Sequence, residues 1–410
     1  MSRPFVGLAL SLALAGCGGG GGTPSTPSPS GSPPTATPTP PSATLAIFNQ
    51  GVLHDVRLSM DPGDWQALRD NFRSNQYYAA NITLDSETYN QVGIRSRGAG
   101  SRDATTPGLE VDFNRYVPTQ EFHGYKRLSL DNHTTDTSML RERLAFTVFE
   151  AMGISAPQLA HTRFTVNGEY WGVYSVVESI SKPFLQARFG EESGALFDYE
   201  YLFPYGFEWR GPDPAAYIPV PFQPETNENR PETGPNLVEF VRAINQTPDA
   251  SFVSTMSGLL DVDRFLAYVA VENAIAEYDG FVGDFGMNNL FLYRFGGQSR
   301  FVFIPWDKDS SFQAPAWPIF HNVDANVLTR RLLEDPGKRK VYTDAVLRAA
   351  QSYVNTRYLT PRLETAYSQI RSAVQADTKK PYTNADFEGA VGGLRGVIAA
   401  READVQSQAP

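Results

Sequence analysis

The sequence predicts an α+β protein: a β-rich first half carrying one helix, then a mainly helical second half around a short strand pair. Three observations point there. Between residues 45 and 177, short apolar runs alternate with polar residues and are cut by turn formers, the period-two mark of strands. From Asp261 onward, apolar positions recur at helical spacing over long stretches. The pair Asn167-Gly168 stands between two alternating apolar runs, the strongest short-range hairpin signal.

Taken in order, 45–48 and 56–60 read as strands. The runs 82–84 and 92–97 flank the polar Asp85-Ser86-Glu87 turn as a hairpin, and 109–113 and 127–130 are further short strands. A helix follows, with Asp136 as its N-cap, Leu140, Leu144 and Val148 on one face, and Gly153 as its stop. The hairpin 162–166 and 170–177 comes next. Residues 197–235 are rich in Pro, Gly and Tyr without periodicity, which predicts a long ordered insertion or a lid. Asp261 opens a helix running to about Ala276, and 290–293 with 301–304 form a strand pair around Gly296-Gly297. Two helical stretches close the chain, 338–376, broken near Pro361, and 385–404. There is no internal repeat.

Composition narrows the function classes. The 410 residues carry a net charge of −10, so no broad basic field is available for nucleic acid, which is excluded as a partner. With 41% hydrophobic, 12% aromatic and only 20% charged residues, the chain is not disordered as a whole. A single cysteine rules out a disulfide framework, a thiolate zinc site and an iron–sulfur cluster. The five histidines are scattered, without HxH or HExxH.

The one cysteine has a specific context. A basic start, an apolar run over 5–15 and small residues before Cys17 are the parts of an export signal, too short to span a bilayer. Leu14-Ala15-Gly16-Cys17 resembles the bacterial lipobox, in which Cys17 is lipidated; the plain alternative is an ordinary signal peptide. Residues 1–17 are thus expected to be a lipoprotein signal. Residues 18–43, with six glycines, eight prolines and no charge, are expected to be a disordered tether. The expected location is the cell envelope, outside the cytoplasm, at the outer membrane or cell surface, with the lipid anchor as the membrane contact.

The chemistry concentrates in one stretch. Asp279 and Asp284 precede Asn288-Asn289, a strand hairpin follows, and Asp307 and Asp309 come after it. Phosphoryl transfer to a hydroxyl needs such a set: a carboxylate to orient the hydroxyl and take its proton, and Asn and Asp oxygens to hold a cation against phosphates. Magnesium prefers oxygen ligands and needs few of them from protein. Asp284 and Asn289 have the D-x-x-x-x-N spacing of protein kinases, although Asp and Asn also crowd ordinary turns. In the first half, Arg95-Ser-Arg97-Gly98-Ala-Gly100-Ser101-Arg102 is either a phosphate-cradling loop or a surface turn with solvated arginines. Glu178 closes the Asn-Gly hairpin, and faces an adenine or ribose or is a strand-edge charge. Arg141 and Glu142 are expected to pair along their helix. No G-x-S-x-G elbow or P-loop occurs; a carboxylate pair for glycoside hydrolysis stays open.

Together these blocks resemble the CotH family, spore-coat-protein-H kinase-like proteins of atypical protein-kinase fold. The matching runs are Arg95-x-Arg97-Gly98-x-Gly100-Ser101, Phe122-His-Gly124-Tyr-Lys126-Arg-Leu128 and Asp136-x-Ser138-x-Leu140-Arg141-Glu142. They continue with Asn167-Gly168-Glu-Tyr170-x-Gly172-Val-Tyr174-x-x-x-Glu178, Tyr278-Asp279-Gly280, Asn288-Asn289-x-x-Leu-Tyr293 and Ile304-Pro305-Trp306-Asp307-x-Asp309. The resemblance implies a two-lobed fold, with 44–185 as N-lobe and 186–410 as C-lobe. It also implies Ser/Thr phosphorylation of surface proteins using ATP with Mg²⁺ or Mn²⁺. It makes Asp307 the metal-binding carboxylate, supported by Asn288, Asn289 and Asp309. Asp279 or Asp284 is the catalytic acid residue, with Asp279 slightly preferred. ATP is expected to contact Arg95, Arg97, Gly98, Gly100, Ser101, Lys126 and Glu178. One departure matters: the family's lysine after the Arg-Gly-Ser loop is missing from 101–111, and an exported chain meets little ATP. The alternative expectation is a catalytically degenerate envelope protein with a binding or structural role.

Overall fold

In the computed structural model, which describes residues 45–409, the first strands close on themselves. β1 (His54–Met60) buries every second residue, and Asp61 then caps α1 (Pro62–Asp70) by accepting the Gly63 and Asp64 N–H groups, with Pro62 at the first helical position. β2 (Tyr78–Leu84) and β3 (Glu87–Ser96) form the expected hairpin, followed by β4 (Leu109–Asp112) and β5 (Arg127–Asp131). α2 (Arg141–Ala151) intervenes before the hairpin of β6 (Leu159–Val166) and β7 (Glu169–Val177). In its turn Asn167 and Gly168 both take positive φ, 52° and 82°, as the Asn-Gly pair allows. β1 pairs β6 in parallel, which closes a seven-stranded barrel of order β1-β2-β3-β4-β5-β7-β6. Its interior is filled by Val56, Leu58, Ile82, Ile94, Val111, Leu130, Phe164 and Val176.

The second half is built differently. After α3 (Lys182–Phe189), the strands β8 (Ala195–Tyr199), β9 (Phe222–Pro224), β10 (Leu290–Arg294) and β11 (Phe301–Pro305) form an antiparallel sheet of order β11-β10-β8-β9. Around it lie α4 (Thr233–Gln246), α5 (Asp249–Leu259), α6 (Val262–Ala274), α7 (Val327–Leu333), α8 (Pro336–Ser352), α9 (Leu359–Ala376) and α10 (Asn384–Gln408). α6 is buried on nearly every face, so it is the core helix and its carboxyl end is placed rigidly. Arg401 of α10 is fully buried and donates to the carbonyls of Asn273 and Ala274, tying down that same end.

The mixed α/β character follows the sequence reading, with corrections. Three helices, not one, precede residue 190: α1, started by Pro62 under the Asp61 cap, and α3 are not among the expected elements. Residues 46–48 form a 3₁₀ turn, not a strand. Asp136 is not the N-cap of α2: Leu140 occupies that position, and the Asp136 carboxylate reaches the N–H groups of Ser138 and Arg141. α2 packs its apolar residues into the core of the second half instead of the barrel. The break between α8 and α9 falls at 353–358, with Pro361 inside the first turn of α9, where its missing N–H has no partner to lose. The 197–235 stretch is an ordered insertion whose Tyr199, Tyr205, Phe207, Tyr217 and Phe222 sit in the main core. The expected signal, Cys17 and tether lie outside the described residues.

Candidate active site

The site is assembled where α6 ends and the β10–β11 hairpin begins and finishes. Leu290 pairs with Pro305, so the residues just outside the hairpin, Asn289 and Trp306, face each other, and the Trp306 N–H donates to the Asn289 carbonyl at 3.2 Å. Asn289 and Asp307 both hold positive φ, 54° and 50°, a conformation Asn and Asp tolerate and one that gathers at functional sites. The loop from Tyr278 folds tightly enough that a Cβ on Gly283 would lie 2.3 Å from the Tyr278 carbonyl oxygen. Within it, Asn288 Nδ2 donates to Asp279 Oδ1 at 2.8 Å and Asn289 Nδ2 to Asp279 Oδ2 at 3.1 Å. Glu277, buried beneath, accepts the Asp279 N–H at 3.0 Å and the Ser311 hydroxyl.

The electrostatics are those of a crowded set of acids with a buried counter-charge. Lys308 is wholly buried, pairs with Glu272 at 2.9 Å and donates to the Asn289 carbonyl at 3.0 Å. Burial works against its charge, but Glu272, Glu277 and Asp279 outweigh it and hold the ammonium above its ordinary value. Burial, then repulsion from Asp131, raises Asp307 to about 6; Asp279 adds repulsion, while Arg97 and Lys308 oppose it. Asp309 and Glu142 are pushed up too, by burial first and then by one another's neighbours, Asp307 and Asp131. Glu277 rises to about 7, chiefly through burial.

The sequence-derived residues divide into two groups. Asp279, Asn288, Asn289 and Asp307 come together, with Asp309 close by, its carboxylate taking the Thr135 hydroxyl and, at 3.2 Å, that of Ser310. Asp284, half exposed, has other partners, accepting from His321 Nε2 at 2.6 Å and Asn322 Nδ2 at 3.4 Å. Arg97 faces the acids: it opposes the shifts of Asp307 and Glu142, and its guanidinium lies 5.5 Å from the Trp306 ring centre. Gly98 turns at φ 109°, where a Cβ would lie 2.5 Å from Ser101 Oγ, and Gly100 borders open space. Arg95, by contrast, is committed to a bidentate pair with Glu110 and to the Tyr77 hydroxyl. Arg102 is spent on the carbonyls of Gly98 and Ser74. Lys126 is exposed on the barrel. Glu178 is buried with both oxygens occupied, by Tyr125 on one side and by the Gln158 N–H and Arg188 on the other.

Three groups escaped the sequence reading, Asp131 at the end of β5, Lys308, and Asp198 on β8, while Glu142 on α2 was expected only to pair along its helix with Arg141, which instead pairs with Asp136. Asp198 is Phe291's partner across the sheet, and burial, then Glu225 and Glu200, push it up to about 7 against the pull of Arg97. A signal existed for Glu142, an acid among apolar residues on an otherwise buried helix. Asp131 and Asp198 had none, because strand-end acids are common in turns.

Among the described residues, no three His, Cys, Asp or Glu side chains stand in an arrangement that could hold a metal by themselves. A cation here would rest on few protein oxygens, which suits Mg²⁺ sharing its shell with phosphates and water. The residues fit that role: the Asp307 carboxylate and the side-chain oxygens of Asn288 and Asn289 accept no hydrogen bond from any described residue. Asp307 is also a carboxylate surrounded by more negative charge than its cations neutralise.

A family model described as CotH kinase protein matches residues 94–405. Inner spore coat protein H of Bacillus subtilis (strain 168) is 26% identical over 351 residues, covering 83% of this chain and 92% of the relative. Spore coat protein homolog 1 of Rhizopus delemar is 21% identical over 360 residues, 81% of this chain and 56% of the relative. Invasin CotH2 of the same organism is 22% identical over 258 residues, 56% of this chain and 41% of the relative. The chain thus spans about half or less of the two Rhizopus proteins. Among solved structures, the Helicobacter pylori proinflammatory kinase CtkA aligns over 74% of this chain and 92% of its own, at 10% identity. Its TM-score of 0.32 is too low for the two folds to be equated.

Proposed function

The chain belongs to the CotH kinase protein family, and on that premise we propose that it is an atypical kinase transferring the γ-phosphoryl group of ATP to Ser or Thr hydroxyls of surface proteins. The observation that carries this reading is the meeting of Asp307, whose carboxylate accepts no hydrogen bond from any described residue, with Asn288 and Asn289, whose amide oxygens likewise accept none from the described residues. In the proposed layout the barrel and the second sheet are the two lobes, and the nucleotide lies between them, lined by Arg97, Trp306 and Asp198. Asp307, Asn288 and Asn289 would hold Mg²⁺ or Mn²⁺. When bound, that cation supplies charge neutralisation on the phosphates. Arg97 and the Gly98–Ser101 turn face the phosphates, and Asp198 takes the adenine or ribose contact that was one expectation for Glu178, whose oxygens are occupied.

Asp279 and Asp284 have separate jobs in this scheme. Asp279 spends both carboxylate oxygens on the asparagine amides and so orients their oxygens toward the cation. Asp284 is 39% exposed and reachable by a protein chain, as a general base must be. It accepts the proton of the acceptor hydroxyl as that oxygen bonds to the γ-phosphorus and ADP leaves. Export and lipid anchoring at Cys17 complete the proposal. Similarity to a spore coat protein and to an invasin supports an outer or surface location.

A second reading, a binding module that has lost catalysis, is favoured by one observation. No lysine stands in residues 101–111 after the Arg97–Ser101 loop, and Arg95 is already paired to Glu110. The full chain with ATP, Mg²⁺ and a generic protein acceptor separates the two. On the kinase reading, Asp284→Asn lowers transfer by roughly 10²–10⁴-fold yet keeps nucleotide-dependent thermal stabilisation. Asp279→Asn weakens the cation dependence of that stabilisation. Nucleotide stabilisation without any transfer by the wild type establishes the second reading.

A further inference from the structure

Three of the six large apolar side chains exposed among the described residues stand at one place: Phe203 is 64% exposed, and Tyr201 and Phe285 are each 47% exposed. Phe285 directly follows Asp284 in the chain, and the Tyr201 hydroxyl donates to the Phe285 carbonyl at 3.1 Å. The Phe203 ring sits over Gly286, 3.5 Å from where a Cβ would be, so that glycine leaves a shelf beside it. Tyr278 meets Phe285 edge-on at 5.2 Å, which fixes the inner wall. The segment carrying Tyr201 and Phe203 is not loose, since Tyr205 and Phe207 immediately after it are buried in the core. Exposed rings on anchored backbone lose apolar burial unless something covers them.

We propose that Tyr201, Phe203 and Phe285 are the specificity surface for the phosphoryl acceptor, reading a large apolar side chain within one or two residues of the acceptor Ser or Thr. This rests on the kinase reading and on Asp284 as its base. Two features select a short extended segment of another protein as the occupant. The patch begins one residue from the Asp284 carboxylate, and one to two residues of extended chain span about 3.3–7 Å, the step from an acceptor hydroxyl to its neighbour's side chain. Its exposed area is about 300 Å², taking roughly 200 Å² per aromatic side chain, which matches one or two side chains. A stable dimer face needs about 800 Å² per partner, so a second copy of this chain is a poor fit.

The test uses the full chain with Mg·ATP and Ser-containing peptides that differ only beside the serine, Leu or Phe against Gly or Asn. Apolar-flanked peptides are expected to show kcat/KM about tenfold higher or more. Phe203→Ser and Phe285→Ser should bring that ratio close to one, mainly through KM for the peptide. Equal kcat/KM for both peptide sets, with nucleotide still stabilising the protein, overturns the proposal and leaves the kinase reading standing. Absence of nucleotide stabilisation and of transfer in the wild type removes both. Concentration-dependent dimers that Phe203→Ser abolishes would overturn it in favour of a second copy.

Discussion

Replacing Asp307 by Asn removes a charge while keeping shape, and the surrounding acids make the consequence unusual. Burial and Asp131 raise this carboxyl from 3.8 to about 6, so the folded state resists its ionisation. A shift of about two units corresponds to roughly 3 kcal/mol held against the charged form. That figure is already net of the attraction of Arg97 and Lys308, so the expected gain near pH 7.5 is up to about 3 kcal/mol. The sign follows from linkage. Because the folded value lies above the unfolded one, the favourable contribution is complete below about 3.8 and lost as pH rises through about 6. Asp307→Asn should therefore match the wild type near pH 4, gain on it between about pH 4 and 6, and keep a constant advantage above that. Urea denaturation of the full chain at a series of pH values, without added divalent cation, reads this as a rising midpoint difference. Added Mg²⁺ should raise the wild-type midpoint and leave the variant's unmoved. A variant that is less stable by the same amount at every pH would refute the reasoning, since Asp307 would then be a structural acceptor.

Lys308→Met leaves Glu272 and Glu277 buried without their cation and should cost about 3–5 kcal/mol in urea denaturation. Arg95 and Arg97 should part ways. Arg95→Ala strands Glu110 and lowers stability by roughly 2–4 kcal/mol with little effect on nucleotide affinity. Arg97→Ala instead weakens the nucleotide-dependent thermal shift, and also lowers stability near neutral pH because Asp307, Glu142 and Asp198 lose an opposing charge. His321→Ala frees the Asp284 carboxylate and should lower kcat about tenfold without moving KM for ATP. His321→Gln, which keeps a donor, restores part of it, and steady-state kinetics on the three proteins decides the matter.

Much of the fold was legible because its signals are local. The alternation in β1, the Asn167-Gly168 turn, the Asp261 cap of α6 and the β10–β11 pair all follow from residues within a few positions of one another. The errors share a cause as well. Residues 46–48 are apolar enough for a strand, but no strand pairs with them, and they turn instead as 3₁₀ backbone under the barrel. α1, which is not among the expected elements, is set by Asp61 accepting the Gly63 and Asp64 N–H groups.

The same division holds at the site. Residue types brought Asp279, Asn288, Asn289 and Asp307 forward and the family resemblance gave them roles; the β10–β11 hairpin returns its two ends to one point. Sequence could not say which arginine was free: Arg95 and Arg97 are two residues apart on one strand and look interchangeable. Glu110, one strand away, claims the first, while Trp306 and the acids, some 200 positions on, take the second. Barrel closure through β1 and β6, the burial of Lys308 beneath Asn289, and the arrival of His321 beside Asp284 were likewise decided by tertiary structure. Each joins groups far apart in the chain. Local backbone preference does not encode such contacts; they form only when burial of the two cores brings the segments together.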